Sequence, residues 1–94
     1  MPAASYLSQN FPNPFNPRTR IEFGLDTSSR VSLAVYDAAG RLVRVVASRD
    51  YPAGQYAEFW DGKDGNGRAV ASGVYFYRLD AGTITQTRKM VLVR

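Results

Sequence analysis

Apolar and polar residues alternate with a period of two along most of the chain. In the segment TRIEFGL, the alternation places Ile21, Phe23 and Leu25 on one face and polar or small residues on the other. The same period recurs in RVSLAVYD, RLVRVVAS, GVYFYRLD and TITQTRKMVLVR, and no helical period competes with it. Because the side chains of a β-strand point alternately to opposite faces, the pattern predicts short strands and an all-β fold.

The segments between these runs carry the residues of tight turns. YDAAGRL has Asp37 where a type I turn begins and Gly40 where a left-handed residue is needed. YPAGQY offers Pro52 and Gly54, and LDAGTIT offers Gly82. Six or seven short strands joined by such turns predict an antiparallel β-sandwich of about seven strands, which we assign to residues 18–94.

One strand, GQYAEFWDG, does not alternate cleanly between an apolar and a polar face. Tyr56, Glu58 and Trp60 share one face, so an inward Trp60 brings Glu58 inward with it. Either Glu58 lies at the edge of a sheet, or a bulge turns Trp60 toward the core. The residues alone leave both alternatives open.

The segment NFPNPFNP, residues 10–17, precedes the predicted sandwich and contains three of the five prolines. Proline fixes φ and lacks an N–H donor, so this stretch cannot enter a helix or the middle of a sheet. We therefore assign residues 1–17 to an extended lead-in or linker. The first ten residues, MPAASYLSQN, have neither the basic region nor the apolar core of a signal peptide.

The composition argues against several classes of function. Cysteine and histidine are both absent from the 94 residues, which removes thiolate chemistry, the commonest metal ligand and the commonest general base. We therefore predict that the domain is not an enzyme and has no cofactor. The net charge of +4 comes from basic residues scattered along the chain, which predicts no nucleic-acid binding. No apolar run approaches the roughly 20 residues of a membrane-spanning helix.

The stretch DGKDGNG has some features of a metal-binding loop, because Asp61, Asp64 and Asn66 offer oxygen ligands. Its spacing departs from that of an EF-hand calcium loop, and its glycines suit an exposed reversal of the chain. We interpret it as a turn. Trp60, with Tyr75 and Tyr77, could form a platform for a sugar, but aromatic residues of a small sandwich lie more often in its core.

The final stretch, TRKMVLVR, is apolar on both faces near its end. Such a strand is either simply the last strand of the sandwich or an edge that another protein reads by adding a strand of its own. In the second case, backbone hydrogen bonds give affinity and alternate side chains give specificity. The residues alone leave these alternatives equally open.

Several motifs follow one another in an order that identifies a family. They are Pro-Asn-Pro-Phe-Asn-Pro, Val-Tyr-Asp followed by Gly-Arg, Trp-Asp-Gly, Ser-Gly-Val-Tyr and Lys-Met-Val-Leu, spread over residues 10–94. In this combination the chain resembles the type A C-terminal sorting domains of the type IX secretion system. It is also similar to the immunoglobulin-like domain of flagellar hook-capping proteins.

This resemblance implies a seven-stranded immunoglobulin-like sandwich that directs a covalently attached N-terminal passenger across the outer membrane. The implied partners are proteins of the outer-membrane secretion apparatus. The implied location is the periplasm in transit, and then the cell surface or the extracellular medium. Recognition by the translocon falls on the last hairpin and strand, at Gly73, Tyr75, Lys89, Met90, Val91, Leu92, Val93 and Arg94.

Under the same resemblance, the lead-in becomes the junction between passenger and sorting domain. Polyproline geometry would hold the two apart, while Phe11 and Phe15 would dock on the sandwich and bury a sheet edge. As an alternative, the domain would be a structural module of an extracellular assembly, such as a hook cap or filament subunit, and would self-associate. The predicted junction residues are Asn10, Phe11, Pro12, Asn13, Pro14 and Phe15.

Overall fold

The computed structural model describes residues 2–94, and over that range the chain forms seven β-strands and no helix that could cross a membrane. The strands are β1 (Tyr6–Leu7), β2 (Thr19–Leu25), β3 (Ser29–Asp37), β4 (Leu42–Tyr51), β5 (Gly54–Trp60), β6 (Gly73–Ala81) and β7 (Ile84–Leu92). One sheet has the order β1-β2-β5 and the other β4-β3-β6-β7, with antiparallel neighbours throughout. The predicted all-β, immunoglobulin-like antiparallel sandwich is confirmed.

Strand β2 shows how the alternation of the sequence builds the core. Its side chains Ile21, Phe23 and Leu25 are completely buried, whereas Arg20 and Glu22 on the other face keep contact with solvent. Burying one such apolar side chain contributes about 2 kcal/mol relative to leaving it exposed. One-sided burial therefore fixes the register of this strand, because a slip by one residue would turn all three outward.

The core lies between the two sheets and receives side chains from every strand. Phe15, from the lead-in, is as deeply buried as the residues of the strands. The largest fully buried side chains are Trp60, Tyr77, Phe15, Phe23, Leu7, Ile21, Leu25, Leu33, Leu79, Met90, Leu92 and Val31.

The first strand, β1, lies within residues 1–17, which the sequence predicts to be a lead-in or linker. Tyr6 pairs with Gly24 and Leu7 with Phe23, so β1 adds to the three-stranded sheet. The Tyr6 ring covers Gly24 so closely that a Cβ there would overlap it. The missing side chain of Gly24 thus makes room for the aromatic ring that holds the start of the chain.

In strand β5, Glu58 lies at the edge of a sheet, which is the first of the two alternatives that the sequence leaves open. The strand pairs with β2 without a register shift and lies at the edge of its sheet, and Trp60 is buried. Glu58 points inward at this edge, where its carboxylate accepts hydrogen bonds from Tyr51 (2.6 Å) and Arg49 (2.9 Å). Burial, together with the bond to Glu58, raises the pKa of Tyr51. No bulge is needed to bring Trp60 into the core.

The turn predicted at YDAAGRL joins β3 to β4. Gly40 has a φ of 85°, and Asp37 Oδ1 accepts hydrogen bonds from the N–H groups of Ala39 (3.0 Å) and Arg41 (2.9 Å). The bond from the Arg41 N–H is the main reason why the pKa of Asp37 is lowered. The aspartate stabilises the turn, as its place in the sequence predicts.

Candidate recognition site

The last hairpin, β6–β7, carries most of the residues predicted for recognition. Gly73 lies opposite Leu92, and Tyr75 lies opposite Met90. Strand β7 ends the four-stranded sheet, so one side of its backbone pairs with β6 and the other faces away from the sheet. The predicted terminal strand therefore exists, and it is both the last strand of the sandwich and an edge strand.

The side chains of the terminal segment divide between the core and the surface. Met90 and Leu92 are completely buried, whereas Lys89 and Val93 are exposed and Val91 is half-buried. Lys89 has no salt bridge within residues 2–94. An approaching molecule can thus contact Lys89, Val91, Val93 and the exposed part of Arg94, but not Met90 or Leu92.

The aromatic residues beside the hairpin belong to the core. Trp60 and Tyr75 meet at 5.3 Å in an edge-to-face arrangement, and both are buried. Their polar atoms bond to loop backbone, because Trp60 Nε1 donates to the Lys63 carbonyl (2.9 Å) and the Tyr75 hydroxyl donates to the Ala71 carbonyl (2.7 Å). Burial raises the pKa of Tyr75. The core interpretation is confirmed, and a sugar-stacking platform is wrong for these rings.

A buried tyrosine ties the lead-in to β6. The Tyr77 hydroxyl accepts a hydrogen bond from the Asn10 N–H (2.7 Å) and donates one to the Ser8 carbonyl (2.7 Å). Burial raises the pKa of Tyr77 to about 12. Asn10 itself is buried, and its side chain donates to Thr19 Oγ1 (3.0 Å) and to the Pro12 carbonyl (3.2 Å). These bonds provide partners for the Ser8 carbonyl, the Asn10 N–H and the Asn10 side chain of the lead-in.

The two phenylalanines of the lead-in differ in burial. Phe15 is buried, with its ring centroid 5.7 Å from that of Trp60, so its predicted docking is confirmed. Phe11 is 77% exposed, so the same prediction is wrong for it. Its backbone pairs with that of Arg20, and residues directly opposite in a sheet share a face. Since Arg20 faces solvent, Phe11 does too.

The lead-in also covers the outer edge of β7. Phe15 donates its N–H to the Val91 carbonyl (3.0 Å), and its carbonyl accepts from the Val93 N–H (2.9 Å). The Asn13 side chain accepts from the Val91 N–H (3.0 Å). The two sets of residues predicted separately, as junction and as recognition strand, therefore form one unit. Residues 6–15 pack on the sandwich and are not an extended spacer.

Three polar residues that sequence reasoning missed complete this edge. Gln9 donates to the Lys89 carbonyl (2.7 Å), Gln86 accepts from the Leu7 N–H (3.0 Å), and Arg88 donates to the Leu7 carbonyl (2.7 Å). Gln86 and Arg88 lie on the same face of β7 as Met90 and Leu92, but both are exposed. The signal available in the sequence is that two polar residues interrupt the apolar alternation on this face of β7.

Arg94 is held by the loop that precedes β6. Its N–H donates to Ser72 Oγ (2.9 Å), and its guanidinium donates to the carbonyls of Val70 (2.7 Å) and Gly62 (2.6 Å). Gly62 has a φ of 75°, and a Cβ there would lie 2.8 Å from the Arg94 guanidinium. The glycine of the Trp-Asp-Gly motif thus leaves room for this arginine, whose guanidinium is committed to the loop.

The DGKDGNG loop uses its carboxylates on its own backbone. Asp64 Oδ1 accepts from the N–H groups of Asn66 (2.9 Å) and Arg68 (3.0 Å), and Asp61 Oδ1 accepts from that of Lys63 (3.1 Å). The bond from Arg68 is the main reason why the pKa of Asp64 is lowered. These bonds confirm the turn. Residues 2–94 contain no group of three side chains that could hold a metal.

Comparison with known proteins decides the family. The model of the FlgD Ig-like domain matches residues 13–84, which is most of the chain. The chain belongs to the FlgD Ig-like domain family. The resemblance to hook-capping proteins is thereby confirmed, and the type A sorting-domain assignment stays a prediction. A search of the curated proteins found no match to this FlgD Ig-like domain.

Solved structures share the fold of this FlgD Ig-like domain. Dimeric latent PorU from Porphyromonas gingivalis is similar over 97% of this chain, with 21% identity and a TM-score of 0.76. PorZ, a surface component of the type IX secretion system of the same organism, is similar over 96% with 21% identity and a TM-score of 0.59. FlgD from P. aeruginosa is similar over 79% with 27% identity and a TM-score of 0.63. The chain spans only 10%, 11% and 57% of these three proteins.

Proposed function

We propose that this domain is a non-catalytic sorting module of the type IX secretion system. It directs a covalently attached N-terminal passenger through the periplasm and across the outer membrane, to the cell surface or the medium. The module works without a cofactor and without nucleic acid. The observation that carries the proposal is the placement of the Lys-Met-Val-Leu strand at a sheet edge, joined there by the lead-in. The likeness in fold to PorZ supports the class of system.

In this proposal, proteins of the outer-membrane secretion apparatus bind the domain at β7. The side chains available to them are Lys89, Val91 and Val93, because the core holds Met90 and Leu92 and the loop before β6 holds the Arg94 guanidinium. Such a surface fits a partner that offers an acidic group beside an apolar patch, because the lysine has no salt bridge within residues 2–94. Met90 and Leu92 contribute by holding the strand in place.

A secretion assay tests the proposal. A signal peptide, a fluorescent reporter and residues 5–94 are fused, expressed in a type IX-competent bacterium, and followed into periplasm, surface and medium. Val93→Ser removes an exposed apolar side chain from the predicted recognition strand. Val45→Ser on β4 is the matched control, because the two valines are 49% and 47% exposed. We expect Val93→Ser to lower export about tenfold, the effect of losing a contact worth about 1.4 kcal/mol.

Two outcomes would contradict the proposal in different ways. Equal export of the Val93→Ser and Val45→Ser fusions would show that β7 is not the surface that the apparatus reads. A folded wild-type fusion that stays in the periplasm would show that the domain is not an export signal. A chain shortened at Thr87 lacks Met90 and Leu92, which are completely buried, so its loss of export would not distinguish lost recognition from lost folding.

A second function, a structural module of an extracellular assembly, is favoured by the family itself. The chain matches FlgD over 79% of its length and spans more than half of that protein. Exposed apolar residues on the four-stranded sheet, Leu42 and Val74 among them, would be the contact surface. Sedimentation of the purified domain tests this function. Ordered oligomers at micromolar concentration that Leu42→Ser abolishes would support it, and a monomer at all concentrations would contradict it.

A further inference from the structure

The backbone groups that a partner strand would need at β7 are those that the lead-in already uses. The N–H and carbonyl of Val91 and the N–H of Val93 bond to Asn13 and Phe15 at 2.9 to 3.0 Å. Each of these backbone groups already has a hydrogen-bond partner. Strand addition at this part of β7 and the present position of residues 13–15 therefore exclude each other.

The contacts of the lead-in define the strand that could replace it. Phe15 is 2% exposed and packs beside Trp60, so the position it fills accepts an aromatic side chain. Asn13 presents a carboxamide oxygen to the Val91 N–H, where a neighbouring strand would present a backbone carbonyl. The bridge between Phe15 and Leu92 is parallel. The edge thus fits an extended peptide, parallel to β7, that places an aromatic residue opposite Leu92 and offers the carbonyl of the residue two positions earlier to the Val91 N–H.

We propose that the edge of β7 over residues 89–93 is a strand-acceptor site, occupied in the resting chain by residues 13–15. A partner strand in extended conformation, with an aromatic residue opposite Leu92, takes their place. This inference rests on the proposed function. When the secretion apparatus binds β7, its strand displaces residues 13–15, so recognition and release of the lead-in occur in the same step. Covalent attachment gives the resident segment an effective concentration in the millimolar range, so it excludes weak competitors.

Peptide binding to the purified chain tests the exchange without any secretion. The probe is a synthetic peptide NFPNPFNP, the chain's own residues 10–17 supplied in trans, and NFPNPSNP is the control peptide. Phe15→Ala weakens the resident segment, and Phe11→Ala is the matched variant because that ring is 77% exposed. We expect the Phe15→Ala chain to bind NFPNPFNP at least about 100-fold more tightly than the wild-type or Phe11→Ala chains.

Amide hydrogen exchange reports the position of the competing strand. We expect the N–H groups of Val91 and Val93 to exchange slowly in the wild type, about 100-fold faster in Phe15→Ala, and slowly again when the probe is added. Should Phe15→Ala not fold, Asn13→Ala leaves the core intact, and we expect it to gain about tenfold in affinity for the probe. If a folded variant does not bind the probe, or binds the probe and the control peptide equally, the proposal of an acceptor site is wrong.

The secretion assay separates this inference from the proposed function. If the exchange is required, the Phe15→Ala fusion is exported at least as well as the wild type. Probe binding by Phe15→Ala with all fusions held in the periplasm would overturn sorting and leave the acceptor site standing. Export of the wild type without any probe binding by the variants would overturn the acceptor site and leave sorting standing.

Discussion

Replacing Tyr77 by phenylalanine tests whether the lead-in is part of the folded unit. The substitution keeps the buried ring and removes only the hydroxyl, which accepts from the Asn10 N–H and donates to the Ser8 carbonyl, both at 2.7 Å. No volume is lost from the ring itself. Any loss of stability therefore measures the connection between β6 and the entering chain.

The magnitude follows from the surroundings of the two backbone groups. Asn10 is 3% exposed, so water cannot replace the lost acceptor of its N–H, and an unsatisfied buried donor costs about 1–3 kcal/mol. Ser8 is half-buried, so water can partly satisfy its carbonyl. We expect Tyr77→Phe to lower the free energy of unfolding by about 2 kcal/mol. That is a large fraction of the stability of a small domain.

Urea unfolding, followed by the fluorescence of the single tryptophan, measures this loss. With a slope of about 1–3 kcal/mol per molar urea, a loss of about 2 kcal/mol lowers the midpoint by roughly 1 M. Tyr36→Phe is the control, because the Tyr36 hydroxyl has no hydrogen bond within residues 2–94, and we expect a change below about 0.5 kcal/mol. Equal midpoints for the two variants would refute the reasoning.

The same measurement checks two further predictions. Phe15→Ala should lower the free energy of unfolding by about 3–5 kcal/mol, because it leaves a cavity beside Trp60, whereas Phe11→Ala should change it by less than about 0.5 kcal/mol; similar losses would contradict the burial of Phe15. Burial raises the pKa of Tyr77 from 10.0 to about 12, so the folded state keeps this proton longer than the unfolded state. The stability so gained is present below pH 10 and is lost between pH 10 and about 12. The urea midpoint should fall across that window, and less steeply in Tyr77→Phe; equal slopes would contradict the prediction.

The strands could be predicted from the sequence because the alternation of apolar and polar residues within each strand shows which of its faces is buried. Ile21, Phe23 and Leu25 alternate with polar residues, and a strand with one face in the core requires that alternation. The turn at Asp37 was equally accessible, since the aspartate and Gly40 act within a few residues of each other.

Features that depend on distant pairing could not be predicted in the same way. Phe11 and Phe15 stand in nearly identical surroundings of asparagine and proline, and only the pairing of Phe11 with Arg20 sends the first ring outward. Glu58 and Trp60 left two alternatives open, because the choice between them depended on whether β5 lies at an edge. The bonds of Asn13 and Gln9 to β7 link residues that are 78 and 80 positions apart.

The prolines of the lead-in determine what lies beyond the end of the four-stranded sheet. A strand arriving from solvent needs a row of N–H donors to pair with, and proline has none. Within residues 12–17, only Asn13, Phe15 and Asn16 carry an N–H, and that of Phe15 is already bonded to Val91. The sheet therefore ends in a segment that offers almost no template. As long as residues 13–15 stay in place, this part of β7 is therefore a poor site for pairing with the sheet of another copy.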